Sequence, residues 1–112
     1  FFTIGCRLWH INTGTVNGKP VAAYTDMLLH DMGPGLDDGI AEGSAKAGEW
    51  RTPPLWNLGF NARITGLLHD GRAASVTEAI QWHDGEAAQV RMRFNGLTGA
   101  EKDALIAFVS RL

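Results

Sequence analysis

The sequence predicts an all-α fold whose helices are joined by long loops rich in glycine and proline. Ser75 with Glu78, and Thr98 with Glu101, have the spacing of a capping box, the pattern that begins a helix. No segment shows the alternation of apolar and polar residues that is typical of a half-buried strand, and the hairpin dipeptide Asn17-Gly18 has weak flanks. These observations favour helices, concentrated towards the end of the chain.

The first two thirds of the chain are predicted to consist mainly of loops. Residues 1–74 carry 11 of the 14 glycines and all 4 prolines, and both residue types interrupt regular structure. The first predicted segment is a short helix over 1–10, with Phe2, Cys6 and His10 on one face. A turn over 12–20 and a helical or extended stretch over 21–30 follow. The remaining segments are a glycine-rich loop over 31–48, an extended segment at Pro53-Pro54 and a turn over 69–71.

Three helices are predicted after residue 74. The first follows the Ser75 capping box to about His83 and is closed by Gly85, and the second covers 86–94 and ends near Asn95-Gly96. The third follows Thr98. The inward face of the first is Val76, Ala79, Ile80 and His83, and that of the third is Leu105, Phe108, Val109 and Leu112.

Length, charge and cysteine content exclude several classes of protein. The 112 residues make one domain or a piece of one. Because the chain starts without Met inside the apolar stretch 1–4, we expect a piece of a longer protein or a processed chain, so missing targeting signals say little about location. A single Cys excludes an internal disulfide, and no apolar run approaches the roughly 18 residues of a membrane span. A net charge of −2 argues against nucleic acid as the main partner.

The loop over 31–48 is unusually long for a compact domain. Such a loop indicates that something other than side-chain packing organises it, and a large cofactor would do so. The alternative is a functional loop packed by Trp50, Leu55 and Trp56 alone.

Cys6 and His10 have the spacing of the first and last residues of the c-type haem attachment motif C-x-x-C-H. In that motif two thiols bind the haem covalently and the His binds the iron. Here Trp9 stands where the second Cys is expected. The remaining alternatives for this pair are a buried Cys with a capping His, or a catalytic Cys–His pair.

Three of the four histidines precede an aspartate, at His30-Asp31, His69-Asp70 and His83-Asp84. Such pairs bind metal in some hydrolases, which leaves a metal-dependent hydrolase as one hypothesis. A nearby Gly places each pair at an element end or turn, where His offsets a helix dipole and Asp forms turns. The turn interpretation is therefore favoured.

Met32 lies in the constrained loop Asp31-Met32-Gly33-Pro34-Gly35. A soft sulfur on such a loop is one way in which a haem iron acquires a ligand opposite a His. A Met that simply fills a gap in the core is the alternative.

The chain resembles the C-terminal haem domain of the di-haem thiol-oxidoreductase family, c-type cytochromes related to bacterial di-haem cytochrome c peroxidases. The resemblance covers nearly the whole chain. It is carried by TIGC with His10 near the start, YTDMLLHDMGPGLDDG over 24–39, EWRTPPLWNLG over 49–59, LLHDGRA over 67–73, TEAIQWHDGEA over 77–87 and the final helix LTGAEKDALIAFVSRL.

The resemblance implies a single cytochrome c-like domain over 1–112, from a longer di-haem protein, with haem c bound covalently through Cys6. It implies His10 and Met32 as the two iron ligands. By the same resemblance, two loops wall the haem pocket, one containing Arg51, Pro54 and Trp56 and the other containing Arg72, and one of the two arginines neutralises a haem propionate.

Trp9 departs from the family pattern, and three explanations stay open. Haem is held by one thioether, the domain has lost its haem, or residue 9 is misassigned and is a Cys. With haem, the resemblance implies an electron-transfer domain with six-coordinate iron, in the periplasm or outside the cell, working with a second haem domain or a redox partner; no turnover is assigned to this chain alone. Without haem, it is a structural or binding module.

Overall fold

A computed structural model describes residues 1–112. Four helices form the end of the chain, α1 at Leu58–Ile64, α2 at Val76–Gln81, α3 at Ala88–Asn95 and α4 at Gly99–Val109. Four short strands precede them, β1 at Gly14–Val16, β2 at Lys19–Val21, β3 at Leu29–Asp31 and β4 at Glu49–Arg51. Single 3-10 turns lie at Cys6–Leu8 and Gly85–Ala87.

The prediction of an all-α fold is wrong. The structure is mixed, with 34% helix, 14% strand and two antiparallel sheets of two strands each. Each strand has only three residues, which is too short for an alternating pattern to be recognised in the sequence. The sheets are set by turn geometry and by contacts between distant segments.

The first sheet is the hairpin of β1 and β2, turned by Asn17-Gly18. Both turn residues have positive φ, 51° and 73°. This is the condition for a type I′ turn, which suits the twist of a two-residue hairpin. The dipeptide signal therefore outweighs the weak flanks.

The second sheet pairs β3 with β4 and closes the glycine-rich loop. His30 lies opposite Trp50, and Asp31 lies opposite Glu49. The predicted loop over 31–48 is confirmed apart from Asp31, which belongs to β3, and a single bridge between Glu42 and Ala45. Both ends of the loop are thus held in one place.

The predicted helix over 1–10 is wrong, since only Cys6–Leu8 forms a single 3-10 turn. Gly5, at φ 108°, introduces this turn with a backbone conformation that a helix does not contain. Helix α1 is not predicted from the sequence, because Gly59 and Asn61 within it are poor helix formers. In the structure its N-cap, Asn57, makes no side-chain capping bond.

The three later helices are confirmed. Ser75 accepts from the Glu78 N–H, but Glu78 reaches back to Ala74 rather than to Ser75. Helix α2 ends at Gln81, two residues before the predicted end. Both bonds of the second capping box form between Thr98 and Glu101.

Two hydrophobic clusters organise the interior. The larger lies among the helices and contains Ile4, Leu67, Ala73, Val76, Ala79, Phe94, Leu105 and Val109. The smaller, here called the Met32 cluster, contains Met32, Leu36 and Ala87. Trp82 packs against both and joins them. No helix has the length and apolar character needed to cross a membrane.

Candidate functional site

Cys6 and His10 are brought together by a single turn of the backbone. The carbonyl of Cys6 accepts from the N–H of His10 at 2.9 Å and from that of Trp9 at 3.4 Å. The predicted pair is therefore local and preformed. Burial raises the pKa of the Cys6 thiol, and the positive N-terminus only partly offsets it.

The imidazole of His10 is oriented by a backbone carbonyl. Its Nδ1 lies 3.0 Å from the carbonyl oxygen of Tyr24. A carbonyl only accepts, so Nδ1 carries the proton and Nε2 presents its lone pair. Burial lowers the pKa of His10 to about 4, against the opposing effect of the Tyr24 bond, and keeps the ring neutral. This is the state in which imidazole binds a metal.

Nε2 of His10 makes no hydrogen bond in the structure. This nitrogen keeps contact with solvent, since all side-chain nitrogen and oxygen atoms that are fully buried do have a hydrogen-bond partner. A metal-binding His is usually held in position by a hydrogen bond from its other ring nitrogen to a carbonyl, as Nδ1 of His10 makes to Tyr24. The donor chemistry at His10 therefore fits an axial ligand of haem iron.

The carbonyl that orients His10 is itself fixed by strained and buried residues. Tyr24 has a φ of 55°, a left-handed conformation that costs a non-glycine residue about 1–2 kcal/mol. Beside it, Thr25 is buried, and its Oγ1 donates to the carbonyl of Thr52 at 2.6 Å. The N–H of Thr25 donates to Ile11.

The loop that contains Arg51, Pro54 and Trp56, which is predicted to wall a haem pocket, packs against the segment around Tyr24. Trp56 donates from Nε1 to the Ala22 carbonyl at 2.7 Å and is 48% exposed. Pro54 is half-buried, and Arg51 is exposed with its guanidinium 3.5 Å from the Met27 sulfur. The structure thus places this loop against the segment that carries the Tyr24 carbonyl.

Arg72 occupies a different position from Arg51. It donates to the Asp70 carboxylate at 2.6 Å and to the Gly35 carbonyl at 2.7 Å, and its guanidinium lies 4.8 Å from the Trp82 ring centre. Arg72 therefore faces the Met32 cluster through Trp82. Its charge is partly neutralised by Asp70.

Met32 is buried at 9% exposure in the cluster that bears its name. Four partly buried side chains pack around this cluster, Trp9, Trp50, Leu68 and Trp82. Trp9 is the residue immediately before His10. The chain segment next to the predicted proximal ligand thus reaches the predicted distal one.

Trp9 stacks on His30, with ring centres 4.0 Å apart and planes 13° apart. Nε2 of His30 lies 2.8 Å from Asp26 and Nδ1 lies 3.1 Å from Glu86. Burial alone would lower the pKa of His30, but the hydrogen bonds and charges of these two carboxylates outweigh it and raise the pKa. Trp9 is thus held by a ring that two carboxylates position.

His83 resembles His10 in its surroundings. Its Nδ1 lies 2.8 Å from the Ala79 carbonyl, and no hydrogen bond engages its Nε2. Burial lowers the pKa of His83, with the Arg91 charge acting in the same direction. A positive charge on His83 would lower the pKa of His10 further.

The three His-Asp pairs do not form a joint metal site. No group of three or more His, Cys, Asp or Glu side chains is placed to hold a metal ion. His69 instead stacks on Trp50 with ring centres 3.7 Å apart.

Sequence reasoning missed the residues that hold His10 in place. Nothing marks the Tyr24 carbonyl or the Thr25 hydroxyl in the sequence, because both act through backbone geometry. His83 was assigned to an inward helix face, which signalled its burial but not its free nitrogen.

The comparisons with known proteins identify one family. A family model described as "Di-haem oxidoreductase, putative peroxidase" matches residues 10–112. The match begins at His10 and so leaves Cys6 and Trp9 outside it. No curated protein and no solved structure matches the chain.

Proposed function

The chain belongs to the di-haem oxidoreductase family, and from this premise we propose that it is a haem-binding electron-transfer domain. One observation carries the proposal: His10 is kept neutral by burial, is oriented by the Tyr24 carbonyl and presents an unpartnered Nε2, one turn from Cys6. This is the arrangement that an axial His of a c-type haem requires.

In this proposal Cys6 forms a thioether with the haem, and it does so alone. Trp9, at the place of the second Cys, is engaged with His30 and with the Met32 cluster. One thioether suffices for a covalent link, and coordination by His10 adds to it. Because covalent haem attachment takes place outside the cytoplasm, the proposal includes a periplasmic or extracellular location.

Two side chains of this region can serve the opposite face of the iron, Met32 and His83. Met32 is the ligand that the resemblance implies, and His83 is added by the structure. Arg72 and Arg51 are the candidate partners of the propionates. Arg72 has the more defined position, since it is held by Asp70 and Gly35.

Bound haem would supply one-electron redox chemistry. The chain's own part is to hold the imidazole neutral through burial and to keep its ring from turning through the Tyr24 carbonyl. If His10 and a second side chain of this chain both bound the iron, no position would be open to peroxide, so we assign electron transfer rather than turnover to this domain. A second haem domain or a redox protein is its proposed partner.

The competing function is a structural or binding module without haem. It is favoured by the packing of Trp9, Trp50 and Trp82 around the Met32 cluster, which fills this region with aromatic rings. Trp56 takes no part in this packing and is 48% exposed.

The two functions are separated by the intact mass of the denatured protein together with a pyridine haemochrome spectrum, after expression with the cytochrome c assembly apparatus. We expect one haem per chain and the spectrum of a single thioether. A protein with the mass of the bare polypeptide and no Soret band would overturn the haem proposal.

A further inference from the structure

Four aromatic side chains meet where the start of the chain packs against the last helix, α4. They are Phe1, Phe2, Tyr24 and Phe108, and their ring centres lie 5.3 to 6.1 Å apart in the contacting pairs. We propose that Phe1 and Phe108 are positioning residues of the haem site, which hold the Tyr24 backbone so that its carbonyl stays on His10 Nδ1. The inference rests on the proposed function, since it concerns the same iron ligand.

The Tyr24 ring is held from two sides. It lies edge-on to Phe1, with ring centres 6.0 Å apart and planes at 78°, and edge-on to Phe108, at 6.1 Å and 76°. Phe1 and Phe108 also contact each other, with ring centres 5.3 Å apart. Edge-to-face pairs attract beyond their burial, because the positive edge of one ring meets the negative face of the other. The three rings form a closed triangle, so Tyr24 cannot move without breaking two contacts.

The peptide unit that follows the Tyr24 ring is held by two hydrogen bonds. Its carbonyl oxygen lies 3.0 Å from His10 Nδ1, and its N–H, which belongs to Thr25, donates to the Ile11 carbonyl at 3.1 Å. One peptide plane is thus bonded to the proposed iron ligand and to the residue after it. The direction of this plane depends on the backbone angles of Tyr24, so the conformation of Tyr24 decides whether the carbonyl meets the imidazole.

That conformation is unfavourable for a bulky residue. Tyr24 has a φ of 55°, in the left-handed region that side chains rarely adopt. Asn17 and Asn57 share this region, but asparagine tolerates it at turns and helix ends. A strained backbone persists only where its surroundings fix it. At Tyr24 the side-chain part of that constraint comes from the Phe1 and Phe108 rings.

The aromatic triangle is anchored in the interior of the protein. Phe1 and Phe108 both pack against the larger hydrophobic cluster. Phe108 precedes Val109, a member of that cluster, which is buried on the same helix. The packing of α4 is therefore linked through Phe108 and Tyr24 to the orientation of His10.

A fixed carbonyl affects the strength of the ligand as well as its direction. A hydrogen bond from Nδ1 to a carbonyl makes an imidazole more basic, and a more basic ligand favours ferric iron. If the rings released the carbonyl, the reduction potential of the haem should therefore rise. Looser packing that only admits water should lower the potential, because water stabilises the more highly charged ferric state. The sign of the change thus separates positioning from general loosening.

The haem-loaded full chain gives the test, with haem content measured for each variant. Phe108→Leu keeps an apolar side chain but removes the ring. We expect it to raise the potential and to speed severalfold the exchange of the His10 Nδ1 proton with solvent, followed by NMR in the reduced state. Phe108→Tyr keeps the ring and should behave like the wild type. Phe60→Leu, at an exposed ring outside the cluster, is the matched control and should change neither quantity.

His83 serves as an internal control in the same spectra. Its Nδ1 lies 2.8 Å from the Ala79 carbonyl, and Ala79 belongs to the hydrophobic cluster against which Phe108 packs. A general loosening of the core should speed the exchange of both Nδ1 protons, whereas lost positioning should affect His10 alone. An unchanged His10 proton in Phe108→Leu, equal effects at the two histidines, or a lowered potential would overturn the inference.

Tyr24→Gly tests the ring without opposing the backbone conformation. Glycine adopts a positive φ at no steric cost, so this variant removes the ring contacts and leaves the left-handed conformation accessible. We expect the same rise in potential and the same faster exchange as in Phe108→Leu, since nothing then holds the peptide plane. A wild-type potential and exchange rate in Tyr24→Gly would show that the ring is not needed and would overturn the inference.

A wild-type chain that carries no haem would overturn the proposed function and leave the inference open to its own measurement. Nitrogen NMR of that chain at neutral pH reports which ring nitrogen of His10 carries the proton, a choice that hydrogen bonding sets. We expect Nδ1 in the wild type and a shift towards Nε2 in Phe108→Leu, with His83 unchanged. A wild-type His10 protonated on Nε2, or the same tautomer in both proteins, would overturn the inference.

Discussion

Thr25 donates from Oγ1 to the carbonyl of Thr52 over 2.6 Å, and both residues are buried. The same hydroxyl accepts from the N–H of Met27 at 2.9 Å. One side chain therefore ties the segment that carries the Tyr24 carbonyl to the loop that contains Arg51 and Trp56. Through Tyr24, it also sets the orientation of His10.

Replacing this hydroxyl should weaken both the fold and the site. Thr25→Val keeps the shape but leaves the Thr52 carbonyl and the Met27 N–H unpaired, so we expect a loss of about 1–3 kcal/mol in the free energy of unfolding. Urea titration measures this loss. Haem affinity should fall as well, since the support of His10 is loosened. Thr15→Val, at an exposed strand position, is the matched control and should be nearly neutral. Equal effects at the two positions would contradict this role of Thr25.

The features that the sequence predicted are local, and those it missed depend on distant partners. The capping boxes at Ser75 and Thr98 involve residues three apart, and both helices form where they were expected. The pairing of His30 with Trp50 joins residues on either side of the glycine-rich loop, so no short sequence pattern could predict it. The site divides in the same way. The turn from Cys6 to His10 is visible in the spacing, whereas the approach of His83 depends on the tertiary packing.

The thiol of Cys6 is the one covalent anchor that the chain offers. Cys6→Ala should therefore leave haem bound only through its axial ligands, so that denaturing chromatography releases it and the intact mass falls to that of the polypeptide. Wild-type protein should retain its haem under the same conditions. Cys6→Ser is the control, because it keeps the polarity and size but forms no thioether. Haem that stays attached to Cys6→Ala would show that residue 9 is a Cys.

The cluster of His30, Asp26 and Glu86 should make stability depend on pH. The pKa of His30 is raised from 6.5 because the two carboxylates outweigh its burial. Its contribution to stability is complete below 6.5 and is lost as the pH rises through the raised value. The pKa of Asp26 is lowered from 3.8, because hydrogen bonds from the Leu28 N–H and from His30 outweigh the effect of burial. The pKa of Glu86 is lowered from 4.5, chiefly by the hydrogen bond from the Asp31 N–H. Their contributions are lost as the pH falls below those values.

The cluster is therefore most stabilising between about pH 4.5 and 6.5. We expect His30→Gln to reduce the free energy of unfolding more at pH 5.5 than at pH 8.5, as measured by urea titration of the haem-free protein at roughly these two values. His69→Gln is the control, because His69 also stacks on a Trp but has a single carboxylate oxygen at 3.8 Å. A loss in His30→Gln that is independent of pH would show that stacking on Trp9, and not charge, supplies the stabilisation.

The contact between the Met32 segment and the residues after His83 depends on Gly85. Gly85 has a φ of 54°, and a Cβ there would overlap the Asp31 carbonyl and lie 2.7 Å from the Gly33 nitrogen. Gly39 has a φ of 77° with no atom within 4 Å of such a Cβ. The two positions thus share a left-handed backbone but differ in packing.

Substituting both glycines separates strain from packing. Gly39→Ala should cost only the left-handed conformation, about 1 kcal/mol. Gly85→Ala should cost roughly 3 kcal/mol or more, because the backbone of one segment must also move away from the other. The free energy of unfolding from urea titration measures both. If haem is bound beside Met32, Gly85→Ala should in addition weaken the low-spin spectrum, because it displaces the Met32 segment, and Gly39→Ala should leave it unchanged. Equal costs at the two glycines would mean that the close contact at Gly85 adds nothing to stability.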